Sequence, residues 1–136
     1  MSELKILLPD NSTAFEPGEE ATGSASWELE KPPRDLELRL FWFTRGRGIE
    51  DAGLAETLRF EQPQLRETRP FRFRLPQMPY SFEGQLISLV WALELIVEPS
   101  KEVTRCEIVV APGRQPVRLG SVAQRGKIVS TITWRT

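Results

Sequence analysis

Carboxylates and guanidinium groups dominate the reactive side chains of this 136-residue chain, beside one thiol. It has no histidine and a single cysteine, Cys106. That excludes Ser-His-Asp and Cys-His catalysis, histidine-based zinc sites and metal centres that need four thiolates from one chain. Neither GxxxxGK followed by Ser or Thr nor GxGxxG occurs, so no phosphate-cradling nucleotide loop is expected. A calcium site gathers several acids at one place, whereas Asp10, Asp35 and Asp51 fall in three separate loops. Glu50-Asp51 lies close to Arg45 and Arg47 and reads as a local ion pair, not a general acid and base. Glycosidase carboxylates are recognised by their separation in space, which sequence does not show. The expectation is a protein that is not an enzyme, with no cofactor and no metal.

The arginines point to binding. Arg45-Gly46-Arg47-Gly48 suits a basic loop that meets an anion, or a solvated hairpin tip. Residues 1–111 carry 13 Lys/Arg against 19 Asp/Glu. Residues 112–136 carry Arg114, Arg118, Arg125, Lys127 and Arg135 and no acid. Such a tail binds phosphate, acidic lipid or an acidic partner, docks on its own acidic body, or is simply solvated. The net charge of −1 argues against a nucleic-acid partner.

These groups must be positioned by strands, because the repeating signal has period two. Leu36, Leu38, Leu40 and Trp42 alternate with Glu37, Arg39, Phe41 and Phe43. Phe71, Phe73 and Leu75 alternate with Arg72 and Arg74, and Ala25, Trp27 and Leu29 with Ser24, Ser26, Glu28 and Glu30. One row of each strand enters a core and the other faces water or a second layer. Strands are expected near 3–8, 22–30, 35–44, 55–61, 70–75, 84–97, 102–110 and 127–134. Ile49–Leu58 allows at most one helical turn. Proline-rich turns at Pro9–Ser12, Glu16–Glu19, Lys31–Arg34 and Pro76–Gly84 interrupt the sheets, and Glu98–Lys101 reads as a hairpin turn. Gly18 and Gly84 suit positive φ. Phe82 is expected to plug one end of the core. Seven or eight short strands of this kind make a β-sandwich of two antiparallel sheets. With no disulfide possible within the chain, its core rests on packing, and Trp27, Trp42 and Trp91 are the largest candidates.

The motifs also resemble a known family. An early strand is followed by Phe15-Glu16-Pro17-Gly18-Glu19 and then Thr22-Gly23. Later come Phe71-Arg72-Phe73-Arg74-Leu75-Pro76, then Pro79-Tyr80-Ser81-Phe82-Glu83-Gly84, then a strand containing Ile87-Ser88-Leu89-Val90-Trp91-Ala92-Leu93. In this order, over roughly residues 3–111, the chain resembles the arrestin N-terminal domain. The resemblance implies an all-β, immunoglobulin-like or arrestin-like antiparallel sandwich at 1–111. It also implies a non-catalytic role as an interaction or scaffold module. Arrestin-like proteins pair two such sandwiches and this chain has room for one; residues 112–136 match nothing in the pattern. They read as a basic extension with one added strand.

The expected partner is a protein, a second copy of the chain included, since the apolar row Ile128, Ile132 and Trp134 could join a neighbour's sheet edge. The expected surface is Phe41, Trp42, Phe43, Arg45, Arg47, Arg114, Arg118, Arg125, Lys127 and Trp134. A strand with aromatics on both faces is either covered on both sides or presents a patch. The second reading is an anionic ligand or membrane surface held by Arg45, Arg47 and the basic tail. A buried lone thiol suits a reducing compartment. No signal peptide opens the chain, and Leu86–Val97 is too short to span a bilayer. The expected location is therefore the cytoplasm.

Overall fold

The structure, a computed structural model, describes residues 2–47 and 50–118. Its strands are β1 (Glu3–Leu7), β2 (Ala14–Phe15), β3 (Glu20–Glu28), β4 (Asp35–Gly46), β5 (Ala52–Arg59), β6 (Arg66–Arg74), β7 (Phe82–Glu83), β8 (Ile87–Glu98), β9 (Val103–Val110) and β10 (Val117–Arg118). They form an all-β sandwich. A small sheet has the order β1-β3-β6, and a large sheet runs β10-β7-β8-β4-β5, with β9 also paired to β8 and β2 to β9. The long pairings are antiparallel, while β2–β9 and β10–β7 are short parallel ladders.

The alternation decides which row enters the core. From β4 come Leu36, Leu38 and Leu40, matched across the ladder by Val97, Leu95 and Leu93 of β8. The small sheet supplies Ala21, Ala25 and Trp27 from β3 and Phe71 and Phe73 from β6. Small residues face large ones there: Ala21 lies opposite Phe73 and Gly23 opposite Phe71. This leaves room for two phenyl rings whose centroids are 5.8 Å apart. Trp27 and Trp91 are 2% and 1% exposed. Each indole N–H donates 2.8 Å to a loop carbonyl, Trp27 to Gln64 and Trp91 to Pro79. Burying such a ring stabilises by on the order of 2–3 kcal/mol, and the satisfied N–H removes the penalty of a buried donor.

Several local expectations change. The segment Ile49–Leu58, where at most one helical turn was expected ahead of a strand near 55–61, carries strand β5 already from Ala52, hydrogen-bonded along β4. Pairing with β4 overrides the helix-favouring Ala, Leu and Glu residues. Pro70 sits inside β6, not at its start, which is tolerated because β6 is an edge strand. The glycines differ from one another. Gly18 takes φ +80 after Pro17, and Glu19 N–H donates 3.1 Å to the Glu16 carbonyl, as a type II turn requires. Gly84 does not have positive φ; it is needed because a Cβ there would lie 2.7 Å from the Ile87 carbonyl oxygen. Phe82 is buried in the core cluster. The strand expected near 127–134 lies outside the described residues.

Ser81 ties the ends of the large sheet together. It is the buried polar side chain of the core among the described residues. Its hydroxyl accepts from Val110 N–H at 2.9 Å, its N–H donates to the Val110 carbonyl at 2.8 Å, and its carbonyl accepts from Val117 N–H at 3.0 Å. One residue therefore joins β9, β7 and β10.

Candidate interaction face

The outward rows of the large sheet hold the strongest candidate. β4 sends out Asp35, Glu37, Arg39, Phe41, Phe43 and Arg45. β8 sends out Val90, Ala92, Glu94 and Ile96, β9 sends out Val103, Arg105 and Glu107, and β5 sends out Ala52 and Leu54. The register sets Phe41 beside Leu54 on one side and Ala92 on the other, with Glu107 beyond Ala92. A bulge in β5 between the partners of Leu40 and Phe41 re-aims Leu54 outward.

The Phe41 and Phe43 rings stack, with centroids 5.9 Å apart. Arg105 lies over both, 5.1 Å from Phe41 and 5.0 Å from Phe43, and Arg45 lies 5.4 Å from Phe43. Each of these contacts is a cation–π pair within the usual 6 Å range. Carboxylates hold both cations: Arg105 meets Glu94 at 2.9 Å, and Arg45 pairs with Glu107. Ala92 is fully enclosed although it points outward, so the aromatic row makes a second apolar layer outside the core. The layer is not sealed. Leu54 is 62% exposed and Val103 52%. Among the described residues no helix is longer than three residues, and none of them forms a third layer over this face.

Trp42 is not part of it. It points inward, half-buried, and packs against the core cluster. Its ring lies across β5 at Gly53, where a Cβ would come within 2.3 Å of the indole nitrogen. Arg47 is exposed at the β4–β5 hairpin, where its N–H donates 2.9 Å to the Leu86 carbonyl. Glu107, and not the neighbouring Glu50-Asp51, is the carboxylate paired with Arg45. Of the basic tail, Arg114 meets Glu19 at 3.1 Å and Arg118 meets Glu83 at 3.1 Å, so these two dock on the acidic body. Arg125, Lys127 and Trp134 lie outside the described residues. The face thus gathers Phe41, Phe43 and Arg45 of the expected set and adds Leu54, Ala92, Glu94, Arg105 and Glu107.

No family model matches the chain, and no curated protein matches its sequence. Among solved structures it is similar to the sporulation control protein Spo0M of Bacillus subtilis, at 18% identity and TM-score 0.57, over 81% of this chain and 49% of that one. The likeness supports an arrestin-like β-rich fold. This chain spans about half the length of that protein. A β-glucosidase from Listeria innocua aligns at 17% identity and TM-score 0.43, over 86% of this chain and 16% of that one, which is too weak a likeness to argue from.

The thiol and the charged rims complete the surface. Cys106 faces the core side of β9, and burial, helped by Glu107, pushes its thiol up from the ordinary value. It is therefore a poor nucleophile. The hydrogen bond from Arg59 holds Asp35 below the ordinary carboxylate value, and Arg66 does the same for Glu28 on the small sheet. Among the described residues no group of three or more His, Cys, Asp or Glu is placed to hold a metal, and no helix is long and apolar enough to cross a membrane.

Proposed function

We propose that this chain is a non-catalytic protein-interaction module of arrestin-like type that presents the outer face of its large sheet to a protein partner. The open aromatic layer carries the reading: Phe41 and Phe43 under Arg45 and Arg105, flanked by exposed Leu54. Aromatic and arginine side chains dominate binding energy at protein interfaces. Similarity to a regulatory protein fits a non-catalytic role, and a half-buried lone thiol fits a reducing, cytoplasmic setting. Attraction of an anionic ligand or membrane to Arg45, Arg114 and Arg118 is less favoured, because each already faces a carboxylate that the ligand would have to displace.

A photo-crosslinking side chain placed at Leu54 tests the proposal. The control is the same group at Leu7, an exposed leucine on the outer face of the small sheet. In an extract of the cells that make the protein, a discrete product is expected from Leu54 and none from Leu7. No product at Leu54, or the same products from both, would sink the proposal.

A further inference from the structure

We propose that the partner of the aromatic face is a second copy of this chain, the two faces packed about a twofold axis that crosses the strands at Phe41. This rests on the reading of that face as the interaction surface. A twofold interface needs a surface complementary to itself, and the outward row of β4 has that property. Two residues either side of Phe41 stand Arg39 and Phe43, and four residues either side stand Glu37 and Arg45. An axis at Phe41 stacks this ring on its copy, lays Arg39, held 3.0 Å from its own Glu37, over the partner's Phe43 and sets Arg45 beside the partner's Glu37. One register thus yields an aromatic pair, cation–π pairs and ion pairs.

Neighbouring registers lack this. An axis at Phe43 keeps an aromatic pair and sets Phe41 against the partner's Arg45, but it opposes Arg39 and the partner's Arg47, two like charges, and yields no ion pair. An axis at Arg39 sets Phe41 on the partner's Glu37 and Phe43 on the partner's Asp35. Residues level with the axis must meet their own copies, and Leu54, Phe41 and Ala92 on that level are apolar. Glu107, at the same level on β9, keeps its own Arg45, whose five N–H donors let it bridge Glu107 and the partner's Glu37 without displacing either. Packed sheets rotate by roughly 30°, which displaces side chains four residues from the axis by about 7 Å at 3.3 Å per residue. Long arginine side chains span that offset. The paired charges neighbour an apolar centre, so the association should depend weakly on salt.

The test is light scattering behind size exclusion on the full chain over a range of concentration and salt. The wild type should dimerise. Leu54→Glu replaces a side chain already 62% exposed, so folding is spared, and it should raise the dimer Kd about 100-fold. Glu37→Arg should raise it about tenfold, and adding Arg45→Glu should recover most of that loss. Circular dichroism melts confirm that each variant is folded. A wild type that stays monomeric throughout, a dimer indifferent to Leu54→Glu, or a double variant no better than Glu37→Arg overturns the proposal. A monomer whose Leu54 cross-links to a foreign protein removes the second copy but keeps the interaction face; a monomer with no product at Leu54 removes both.

Discussion

The two outer faces of the sandwich share one core yet differ in what they show to water. On the small sheet the outward rows are Glu3, Lys5 and Leu7 of β1, Glu20, Thr22, Ser24, Ser26 and Glu28 of β3, and Arg66, Thr68, Pro70, Arg72 and Arg74 of β6, with Leu7 the one exposed large apolar residue among them. Hydroxyls and charges satisfy one another there: Thr68 donates to Ser26 at 3.0 Å, and Arg66 meets Glu28 at 2.8 Å. On the large sheet the corresponding rows carry two stacked rings and an enclosed alanine. Both faces obey the same alternation, so alternation does not explain the difference. A hydroxyl row is content in water, whereas an aromatic row gains only when something covers it. Two arginines cover it in part, and the remaining exposed apolar area is the feature that a solvent-facing role does not require.

The shared core sets the scale for experiments on this contrast. Trp91→Ala should lower stability by about 3–5 kcal/mol in denaturant melts, since it removes a buried ring and leaves the Pro79 carbonyl unpaired. A loss below about 1 kcal/mol would mean that the core does not bear on this ring. Gly53→Ala should cost about 1–3 kcal/mol, because the added methyl collides with the Trp42 indole. A neutral result would show that this ring shifts freely. Arg105→Ala on the aromatic face should cost about 0.5–1 kcal/mol through lost cation–π contact. Arg72→Ala on the polar face, 3.7 Å from Glu20, should stay within about 0.5 kcal/mol of wild type. Equal costs would erase the distinction between the faces.

The smallest effect is expected from pH and should be shared by both faces. Asp35 and Glu28 have lowered values in the fold, each chiefly through a hydrogen bond from arginine. Their contribution is therefore fully present above their unfolded values, about 4, and is lost as pH falls through the lower folded values. Melting temperature should decline slightly across that acidic window. Asp35→Asn with Glu28→Gln should flatten the decline, and an unchanged slope would assign it to other groups.

Much of the sandwich was legible because β3, the first half of β4 and the end of β6 alternate and bury one row. The stretch Ala52–Arg59 was legible only from residue 55 on; its start, Ala-Gly-Leu, carries no strand pattern and becomes strand through its pairing with β4. The two-residue strands β2, β7 and β10 are too short to leave a period. At the candidate face, Phe41, Trp42 and Phe43 were visible as aromatics on both sides of one strand, but which side was covered depended on strands distant in sequence. Arg105 and Glu107 were missed for the same reason. Their outward alternation on β9 was readable, but their proximity to Phe41 required knowing that β8 lies between.

The parallel pairing of Ala14 with Val109 and Phe15 with Val110 has a consequence for how the chain is made. Strand β4 meets β5 as a local hairpin, yet its other edge waits for β8, and β2 waits for the last residues of β9. On the ribosome the aromatic hairpin therefore emerges with one edge bare, well before the strands that close the sandwich. Such non-local closure slows folding and lengthens the exposure of sticky edges. Prolines and an arginine-fringed β6 make sense in that interval, since they blunt the edges that must stand alone until synthesis passes Val110.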